Sequence, residues 1–207
     1  DNIMRCKTGL SLSMAAETAL ENSLSGLEFS NGIPGTVGGA VVMNAGAYDG
    51  EMANVVKKVL VVDMDANLFE MQRDELEYGY RESIFQKGNK ILLEVEMELS
   101  YGNYENIKEK MDNFLAKRRA KQPLNLPSAG SAFKRPPNNY AGALIERAGL
   151  KGHKIGGAMI SDKHAGFIVN VDNATFEDVK KLINYIKTQV KTKFNVELES
   201  EIKIVDN

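Results

Sequence analysis

The chain has few residues that carry disulfide or metal chemistry. Its 207 residues include one cysteine, two histidines and no tryptophan. Cys6 alone cannot form an internal disulfide, which is typical of a protein in a reducing cytoplasm. One cysteine and two histidines offer no cluster of ligands with metal-site spacing, so the sequence predicts no metal centre.

The sequence also lacks a long apolar run and an excess of charge of one sign. No stretch approaches the roughly 20 apolar residues that span a bilayer, so we predict no membrane segment. The formal net charge is -2, and no long basic run is present, which gives no support for nucleic acid as a partner. Hydrophobic residues make up 43% of the chain, enough for a globular protein with a core.

What is present is an apolar, glycine-rich segment over residues 31–48. Five of its positions are glycine, and no charge occurs before Asp49. Glycine is entropically unfavourable in a helix and Pro34 lacks an amide donor, so we predict that the segment is not a stable helix. The pattern matches neither the dinucleotide fingerprint nor a P-loop. It predicts either a packed turn or a backbone folded closely against a flat or anionic ligand.

Periodicity in the first half predicts short strands and helices. Over residues 91–100, Leu93, Val95, Met97 and Leu99 alternate with glutamates, which predicts a strand with those four side chains in the core. The other predicted elements are a strand at 3–7, a helix capped by Ser11 and ending near 22, a hairpin of 55–64 with 68–72, and a helical turn at 73–76.

The second half begins with a predicted helix at 104–121, and Pro123 marks the start of a second lobe. A loop at 124–139 and a helix at 140–148 ended by Gly149 follow. Strands are predicted at 155–160, 166–171 and 196–205. Thr175 and Asp178 form a capping-box pattern at the start of a helix that reaches Phe194.

Four stretches resemble, in the same order, those of the UDP-N-acetylenolpyruvoylglucosamine reductase (MurB) family. They are GLEFSNGIPGTVGGAVVMNAGAY at 26–48, YRESIF at 80–85, PSAGSAFKRP at 127–136 and LESEIK at 198–203. The resemblance extends over the whole chain. It implies a cytoplasmic flavoprotein of peptidoglycan synthesis, in which NADPH reduces FAD and the flavin reduces UDP-N-acetylglucosamine enolpyruvate to UDP-N-acetylmuramate. The short form of the third stretch resembles the type II branch.

The resemblance implies an α+β fold of two parts. Residues 1–103 with 196–207 would be part of a FAD-binding domain of the vanillyl-alcohol-oxidase (PCMH) type, and 104–195 a smaller α+β substrate-binding lobe. Family members carry a further flavin-domain segment ahead of this point, with a glycine–serine–asparagine loop for the FAD pyrophosphate. No such loop is found here, and the chain starts at Asp1 rather than methionine. We therefore expect the chain to correspond to the C-terminal two thirds of a reductase.

The same resemblance assigns site residues. Ser131 would be the proton donor, Arg81 would bind the enolpyruvyl carboxylate and Glu201 would stabilise the enol intermediate. By spacing alone, each has a simpler interpretation as a loop serine bonded to its own backbone, a solvated arginine or a charged strand residue. The FAD contacts implied by the resemblance are Ile33, Pro34, Gly35, Thr36, Gly38, Gly39, Asn44, Ala45, Gly46 and Ala47.

The UDP-sugar needs cationic and hydrogen-bonding partners, for which the candidates are Arg135, Lys134, Gln122, Lys163 and His164. Exposed lysines are mostly solvated, and His164 is equally consistent with an ordinary, partly buried histidine. Two alternatives to the reductase remain open. One is a flavin-free fragment or module that binds the UDP-sugar without turnover, and the other is a flavin oxidoreductase of the same fold with another substrate.

Overall fold

A computed structural model describes residues 1–205, and the chain divides into two compact units, 1–118 and 119–207. These units differ from the predicted domain bounds. Ile107 and Met111 of the helix that begins at residue 104 lie in the core of the first unit, and Leu198 lies in the core of the second. Which parts act as cofactor and substrate domains stays a prediction.

The first unit is built around an antiparallel sheet. Its elements are β1 (Ile3–Lys7), α1 (Leu12–Glu21), β2 (Leu24–Ser25), α2 (Val37–Val42), β3 (Gly46–Ala47), β4 (Gly50–Glu51), β5 (Val56–Asp63), β6 (Leu68–Gln72), β7 (Lys90–Glu98), β8 (Ser100–Tyr101) and α3 (Tyr104–Lys121). Four of the strands form a sheet in the order β1-β7-β5-β6. Short 3₁₀ turns occupy Glu28–Ser30, Met52–Asn54, Arg73–Leu76 and Ile84–Lys87. The strand at 3–7, the hairpin and the turn at 73–76 are confirmed.

In strand β7 the predicted core is wrong at one position. Leu60 lies opposite Glu94 whereas Val61 lies opposite Leu92, so a bulge interrupts the alternation. Leu92 is therefore buried and Leu93 only partly so, although the sequence predicts Leu93 in the core. A β-bulge shifts the side chains that follow it to the other face, which simple alternation does not anticipate.

The glutamates of β7 form ion pairs across the sheet rather than a purely solvated face. Arg5 Nε lies 2.7 Å from Glu96 Oε2, and the Glu96 side chain is only 9% exposed. Lys7 Nζ lies 2.7 Å from Glu94 Oε2 on the same pair of strands. This opposite-charge pairing helps to fix the register of β1 against β7.

The glycine-rich segment contains a short helix, so the prediction that it is not helical is wrong for Val37–Val42. Thr36 caps α2 by accepting the Gly39 amide at 3.2 Å. A Cβ on Gly38 would lie 2.7 Å from Thr8 Cβ, so only glycine allows α2 to approach that residue. Burial of Val37 and Val41 compensates for the low helix propensity of the glycines.

The second unit combines a small antiparallel sheet with two helices. Its elements are β9 (Ser128–Ser131), α4 (Ala141–Arg147), β10 (Lys154–Ile155), β11 (Ala158–Ile160), β12 (Phe167–Asn170) and α5 (Phe176–Phe194), and the sheet order is β10-β11-β12-β9. Leu182, Ile183 and Ile186 of α5 are fully buried in its core. The capping box of α5 is confirmed, since Thr175 Oγ1 accepts the Asp178 amide and the Asp178 carboxylate accepts the Thr175 amide.

Four local predictions in the chain need correction. The predicted strand at 155–160 is a hairpin turned at Gly156, which has φ +54°. Ser131 ends strand β9 instead of lying in a loop. Residues 196–205 are not a strand; they pair through a bridge of Ser200 with Phe133. Ser11 precedes α1, but its side chain makes no capping bond.

No helix among residues 1–205 is long and apolar enough to cross a membrane.

A buried phenol in the first unit gives a testable stability prediction. Within the described chain, the Tyr78 hydroxyl is the one buried side-chain polar atom without a hydrogen-bond partner, and burial raises its pKa. Leaving such a group unsatisfied costs about 1–3 kcal/mol. We therefore expect Tyr78→Phe to raise the free energy of unfolding by about 1 kcal/mol in thermal or urea denaturation.

Tyr48→Phe is the matched control for Tyr78→Phe. The Tyr48 hydroxyl donates to the Phe114 carbonyl at 3.3 Å, so its removal should destabilise by about 0.5–1.5 kcal/mol. A Tyr78→Phe variant that loses as much stability as this control would show that the Tyr78 hydroxyl is hydrogen-bonded in solution.

Candidate active-site elements in the two units

The glycine-rich segment exposes one edge of its backbone. Pro34, Gly35, Thr36 and Gly39 are exposed, and a Cβ on Gly35 would meet nothing within 4 Å. A Cβ on Gly39 would meet only Thr36 Oγ1, at 3.6 Å. This edge, with no side chain at the two glycines and no charge, can accept a flat ligand against its backbone.

The remaining predicted FAD contacts lie deeper. A Cβ on Gly46 would lie 2.8 Å from the Gly50 carbonyl, so this glycine, like Gly38, serves close packing. Ile33 and Ala45 are partly buried and pack on the core of the unit. Ala47 is also partly buried, in strand β3. The segment therefore has an exposed edge and a packed side, which the sequence does not distinguish.

Arg81 lies against the same segment. It occupies a two-residue turn closed by Gly79 and Glu82, and its φ of +59° is left-handed. Its Nη2 donates to the Gly46 carbonyl at 2.9 Å and its Nη1 to the Asn44 carbonyl at 3.3 Å. The structure thus brings the predicted carboxylate-binding residue to the predicted cofactor segment.

Two aromatic rings and an arginine pack helix α3 against the glycine-rich segment, and the sequence analysis did not predict these contacts. The Tyr48 and Phe114 rings are stacked, with centroids 4.4 Å apart. Arg118 is buried; its guanidinium lies over the Tyr48 ring and donates to the carbonyls of Phe29 and Asn31. Burial lowers the pKa of Arg118. Tyr48 is part of the family-like stretch, but nothing in the sequence links it to residues 66 positions away.

In the second unit, Ser131 and Glu201 lie on neighbouring segments. Ser131 is exposed at the end of β9, opposite Phe167 of β12. The Glu201 amide donates to the Ala132 carbonyl at 3.0 Å, and the Ala132 amide donates to the Gly166 carbonyl at 2.8 Å. The residues next to Ser131 therefore connect the C-terminal segment and strand β12.

The two basic residues that follow Ser131 already have partners. Lys134 Nζ lies 2.6 Å from Glu199 Oε1, and the Lys134 amide donates to the Glu199 carbonyl. The Arg135 guanidinium stacks 4.1 Å above the ring of Tyr140. These contacts hold the two cations on the same part of the second unit as Ser131.

His164 is held as a neutral ring. Its Nδ1 accepts the Gly166 amide at 3.1 Å, and burial lowers its pKa. A ring that accepts at Nδ1 carries its proton at Nε2, so His164 offers one N–H donor there. The buried Ser161 hydroxyl accepts the amides of Lys163 and His164 and shapes this turn, a role that the Ser161-Asp162 turn pattern could have indicated.

Lys163 and Gln122 make contacts with residues other than Ser131. Lys163 Nζ donates to the Arg119 carbonyl at 2.6 Å. Gln122 is partly buried, and its carbonyl accepts the Leu124 amide at 3.0 Å. The contacts described for residues 1–205 therefore do not join these two candidates to Ser131.

Two family models together cover most of the chain. Residues 1–72 match the FAD binding domain, and residues 122–205 match the C-terminal domain of UDP-N-acetylenolpyruvoylglucosamine reductase. The first match contains the exposed glycine edge and the second contains Ser131 and Glu201. The fold and the matches define the class: an α+β protein with an FAD-binding domain of the PCMH type, as in a family of flavin-dependent oxidoreductases.

Relatives of this class are similar along nearly the whole chain. The reductase of Caldanaerobacter subterraneus is 56% identical over 96% of this chain and 66% of its own length. That of Clostridium perfringens is 48% identical over 99% of this chain and 67% of its own length. The crystal structure of the Thermus caldophilus enzyme matches with a TM-score of 0.85 at 38% identity, covering 97% of this chain and 73% of that one.

The chain belongs to the UDP-N-acetylenolpyruvoylglucosamine reductase (MurB) family. The predicted family and the α+β fold class with a PCMH-type FAD-binding part are confirmed, as are oxidoreductase activity and FAD as the activity and cofactor of that family. The chain spans about two thirds of the length of the curated relatives that it matches. The predicted catalytic and binding residues stay predictions.

Proposed function

We propose that the protein reduces UDP-N-acetylglucosamine enolpyruvate to UDP-N-acetylmuramate with NADPH and FAD, for cytoplasmic peptidoglycan precursor synthesis. The observation that carries this proposal is the 56% identity to a reductase of that name over 96% of the chain. Because the chain spans only about two thirds of that relative, its own activity and substrates are inferred rather than shown.

The exposed glycine edge fits FAD. Pro34, Gly35, Thr36 and Gly39 would hold the cofactor, because their backbone is open to a planar ring or an anionic group. Bound there, FAD would supply the hydride-transfer chemistry between NADPH and the enolpyruvyl carbon. The chain's contribution is to bind and orient the reactants and to deliver the proton.

Ser131 is the proposed proton donor and Glu201 its partner in the same unit. Ser131 is exposed, and the cations of Lys134 and Arg135 follow it in the chain, which favours a hydroxyl that gives up its proton. Glu201, whose amide donates to the Ala132 carbonyl, would stabilise the enol form of the substrate. Arg81 would bind the enolpyruvyl carboxylate, for which a planar guanidinium is suited.

The proposed UDP-sugar contacts differ in how well the structure supports them. His164 can donate from Nε2, and the Arg135 guanidinium lies over the Tyr140 ring beside the Ser131 segment. Lys134 is paired with Glu199 and would have to bind the diphosphate while keeping that contact. Lys163 and Gln122 have the weakest support, since their described contacts are with Arg119 and Leu124.

The visible absorbance of the purified protein, combined with a turnover assay, tests the proposal. Bound FAD and NADPH oxidation that depends on the enolpyruvyl sugar would support it. Flavin with NADPH oxidation that ignores the enolpyruvyl sugar would indicate an oxidoreductase with another substrate. A colourless protein that still binds the UDP-sugar would indicate a binding module without turnover.

A further inference from the structure

Asn44 uses both ends of its side-chain amide inside the first unit. The residue is 1% exposed. Its Nδ2 donates to the Gly79 carbonyl at 2.9 Å, and its Oδ1 accepts the Ala53 amide at 2.9 Å. A side chain that is buried and bonded at both ends holds the fold of this unit rather than contacting a cofactor, which is the role that the family resemblance implies for it.

Two contacts of Asn44, with Gly79 and with Arg81, are made to the turn that carries Arg81. Gly79 begins that turn, since its amide donates to the Glu82 carbonyl at 3.1 Å and its carbonyl accepts the Glu82 amide at 3.3 Å. The Asn44 carbonyl accepts Nη1 of Arg81 at 3.3 Å. Asn44 therefore contacts the turn twice, through its side chain at Gly79 and through its backbone at the guanidinium.

Asparagine satisfies three requirements at this position together. The backbone of Asn44 is left-handed, with φ +41°, which asparagine tolerates better than most side chains. The site also needs a donor for the Gly79 carbonyl and an acceptor for the Ala53 amide. Glycine meets only the first requirement, and aspartate lacks the donor and would set a charged oxygen against a carbonyl.

We propose that Asn44 is a positioning residue that fixes the direction of the Arg81 guanidinium. The Gly79 carbonyl holds the turn at the correct distance, and the carbonyls of Asn44 and Gly46 orient the side chain that the turn carries. This inference rests on the proposed function, in which Arg81 binds the carboxylate of the enolpyruvyl substrate.

Asn44→Asp tests the proposal in the purified holoenzyme by stopped-flow absorbance. We expect reoxidation of the reduced flavin by the enolpyruvyl sugar to slow by about 10- to 100-fold, since displacing a positioned group by about 1 Å has effects of this size. Reduction of the flavin by NADPH and the affinity for FAD should stay near their wild-type values, because neither step uses the substrate carboxylate.

Asn54→Asp is the matched control. Asn54 lies one residue after Ala53 and accepts the Glu51 amide at 2.9 Å through Oδ1, an interaction that aspartate retains. It introduces the same charge nearby, so it should leave both half-reactions near the wild-type rate. Equal slowing of reoxidation in the two variants would overturn the proposal, since the effect would then come from charge alone.

Combination with Arg81→Ala separates positioning from a general structural effect. If Asn44 acts through Arg81, then Asn44→Asp slows reoxidation no further once Arg81 is removed. Full additivity, or loss of FAD binding in Asn44→Asp alone, overturns the proposal. An Arg81→Ala enzyme with wild-type reoxidation would instead refute the carboxylate role of Arg81 and, with it, the inference drawn from that role.

A spectroscopic readout covers a variant that fails to turn over. The Nε–H resonance of Arg81, assigned by its loss in Arg81→Ala, should be sharp in the ¹⁵N spectrum of the wild-type chain. It should broaden or shift in Asn44→Asp and in Asn44→Gly, which keeps the left-handed backbone but removes both side-chain hydrogen bonds. An unchanged resonance in folded Asn44→Gly would overturn the proposal.

Discussion

Replacement of Ser131 by alanine is expected to slow reduction of the enolpyruvyl sugar by about 100- to 10,000-fold, the range that a positioned general acid contributes. Ser131 is exposed at the end of β9, and its backbone pairing with Phe167 does not involve the hydroxyl. The variant should therefore fold normally. Reduction of the flavin by NADPH should be unchanged, because Ser131 acts only on the sugar substrate.

Ser128→Ala is the control for this experiment. Ser128 lies in the same strand, is also exposed, and uses its hydroxyl to accept the Gly130 amide at 3.2 Å. Its replacement should leave turnover within about twofold, since an exposed turn bond contributes little to stability. Pre-steady-state measurement of each half-reaction distinguishes the outcomes. Equal losses in both variants, or wild-type reoxidation in Ser131→Ala, would contradict the assignment of Ser131 as proton donor.

Sequence patterns predicted those parts of the fold that depend on neighbours in the chain. The capping box of α5 requires only Thr175 and Asp178, and the hairpin of β5 and β6 requires only a short turn. The predictions that were wrong depend on distant contacts. Helix α2 buries Val37 and Val41 and approaches Thr8 closely at Gly38, and the bulge in β7 lies in its pairing with β5. Neither contact is encoded in the local pattern.

The C-terminal segment shows the same limit more clearly. Its alternation of apolar residues and glutamates is that of a strand, yet the described part pairs with residues 132–134 at only a few points. The single bridge of Ser200 with Phe133 gives too few ladder bonds for a regular strand. Alternation shows which side chains can face a core, but not whether a partner strand is long enough.

The site was predicted through motifs, and its supporting contacts were not. Arg81, Ser131 and Glu201 were named from the family-like stretches. The hydrogen bond from the Asn44 side chain to the Gly79 carbonyl spans 35 positions, and that from the Arg118 guanidinium to the Asn31 carbonyl spans 87. A glycine motif likewise does not reveal which of its members face a ligand. Only the distances from an added Cβ to its neighbours show that Gly38 and Gly46 serve close packing whereas Gly35 and Gly39 face open space.

This division leads to opposite expectations for two adjacent glycines of α2. In Gly38→Ala, the new Cβ would lie 2.7 Å from Thr8 Cβ and 3.1 Å from the Thr8 carbonyl. Backbone and a side-chain stem cannot move aside easily, so we expect a loss of about 1–3 kcal/mol in the free energy of unfolding. Urea denaturation measures this loss.

Gly39→Ala should instead stabilise the folded chain. Its Cβ would meet only Thr36 Oγ1 at an ordinary 3.6 Å, and alanine is favoured over glycine in a helix by about 0.5–1 kcal/mol. The same methyl group would stand on the exposed edge proposed to hold FAD. We therefore expect Gly39→Ala to gain stability without ligand and to bind FAD at least about tenfold more weakly, which corresponds to about 1.4 kcal/mol.

The pair separates a packing role from a ligand-binding role within one turn of helix. The free energy of unfolding is measured without added FAD. The affinity for FAD is measured by titration of flavin fluorescence in the wild type and in each variant. A Gly39→Ala protein that is more stable and binds FAD as tightly as the wild type would show that this edge does not contact the cofactor. A Gly38→Ala protein of unchanged stability would show that α2 does not pack on Thr8 in solution. The opposite effects expected on stability have one physical origin, which is the space that each glycine leaves. At Gly38 that space is filled by Thr8 of the same chain, and at Gly39 it is open to the ligand.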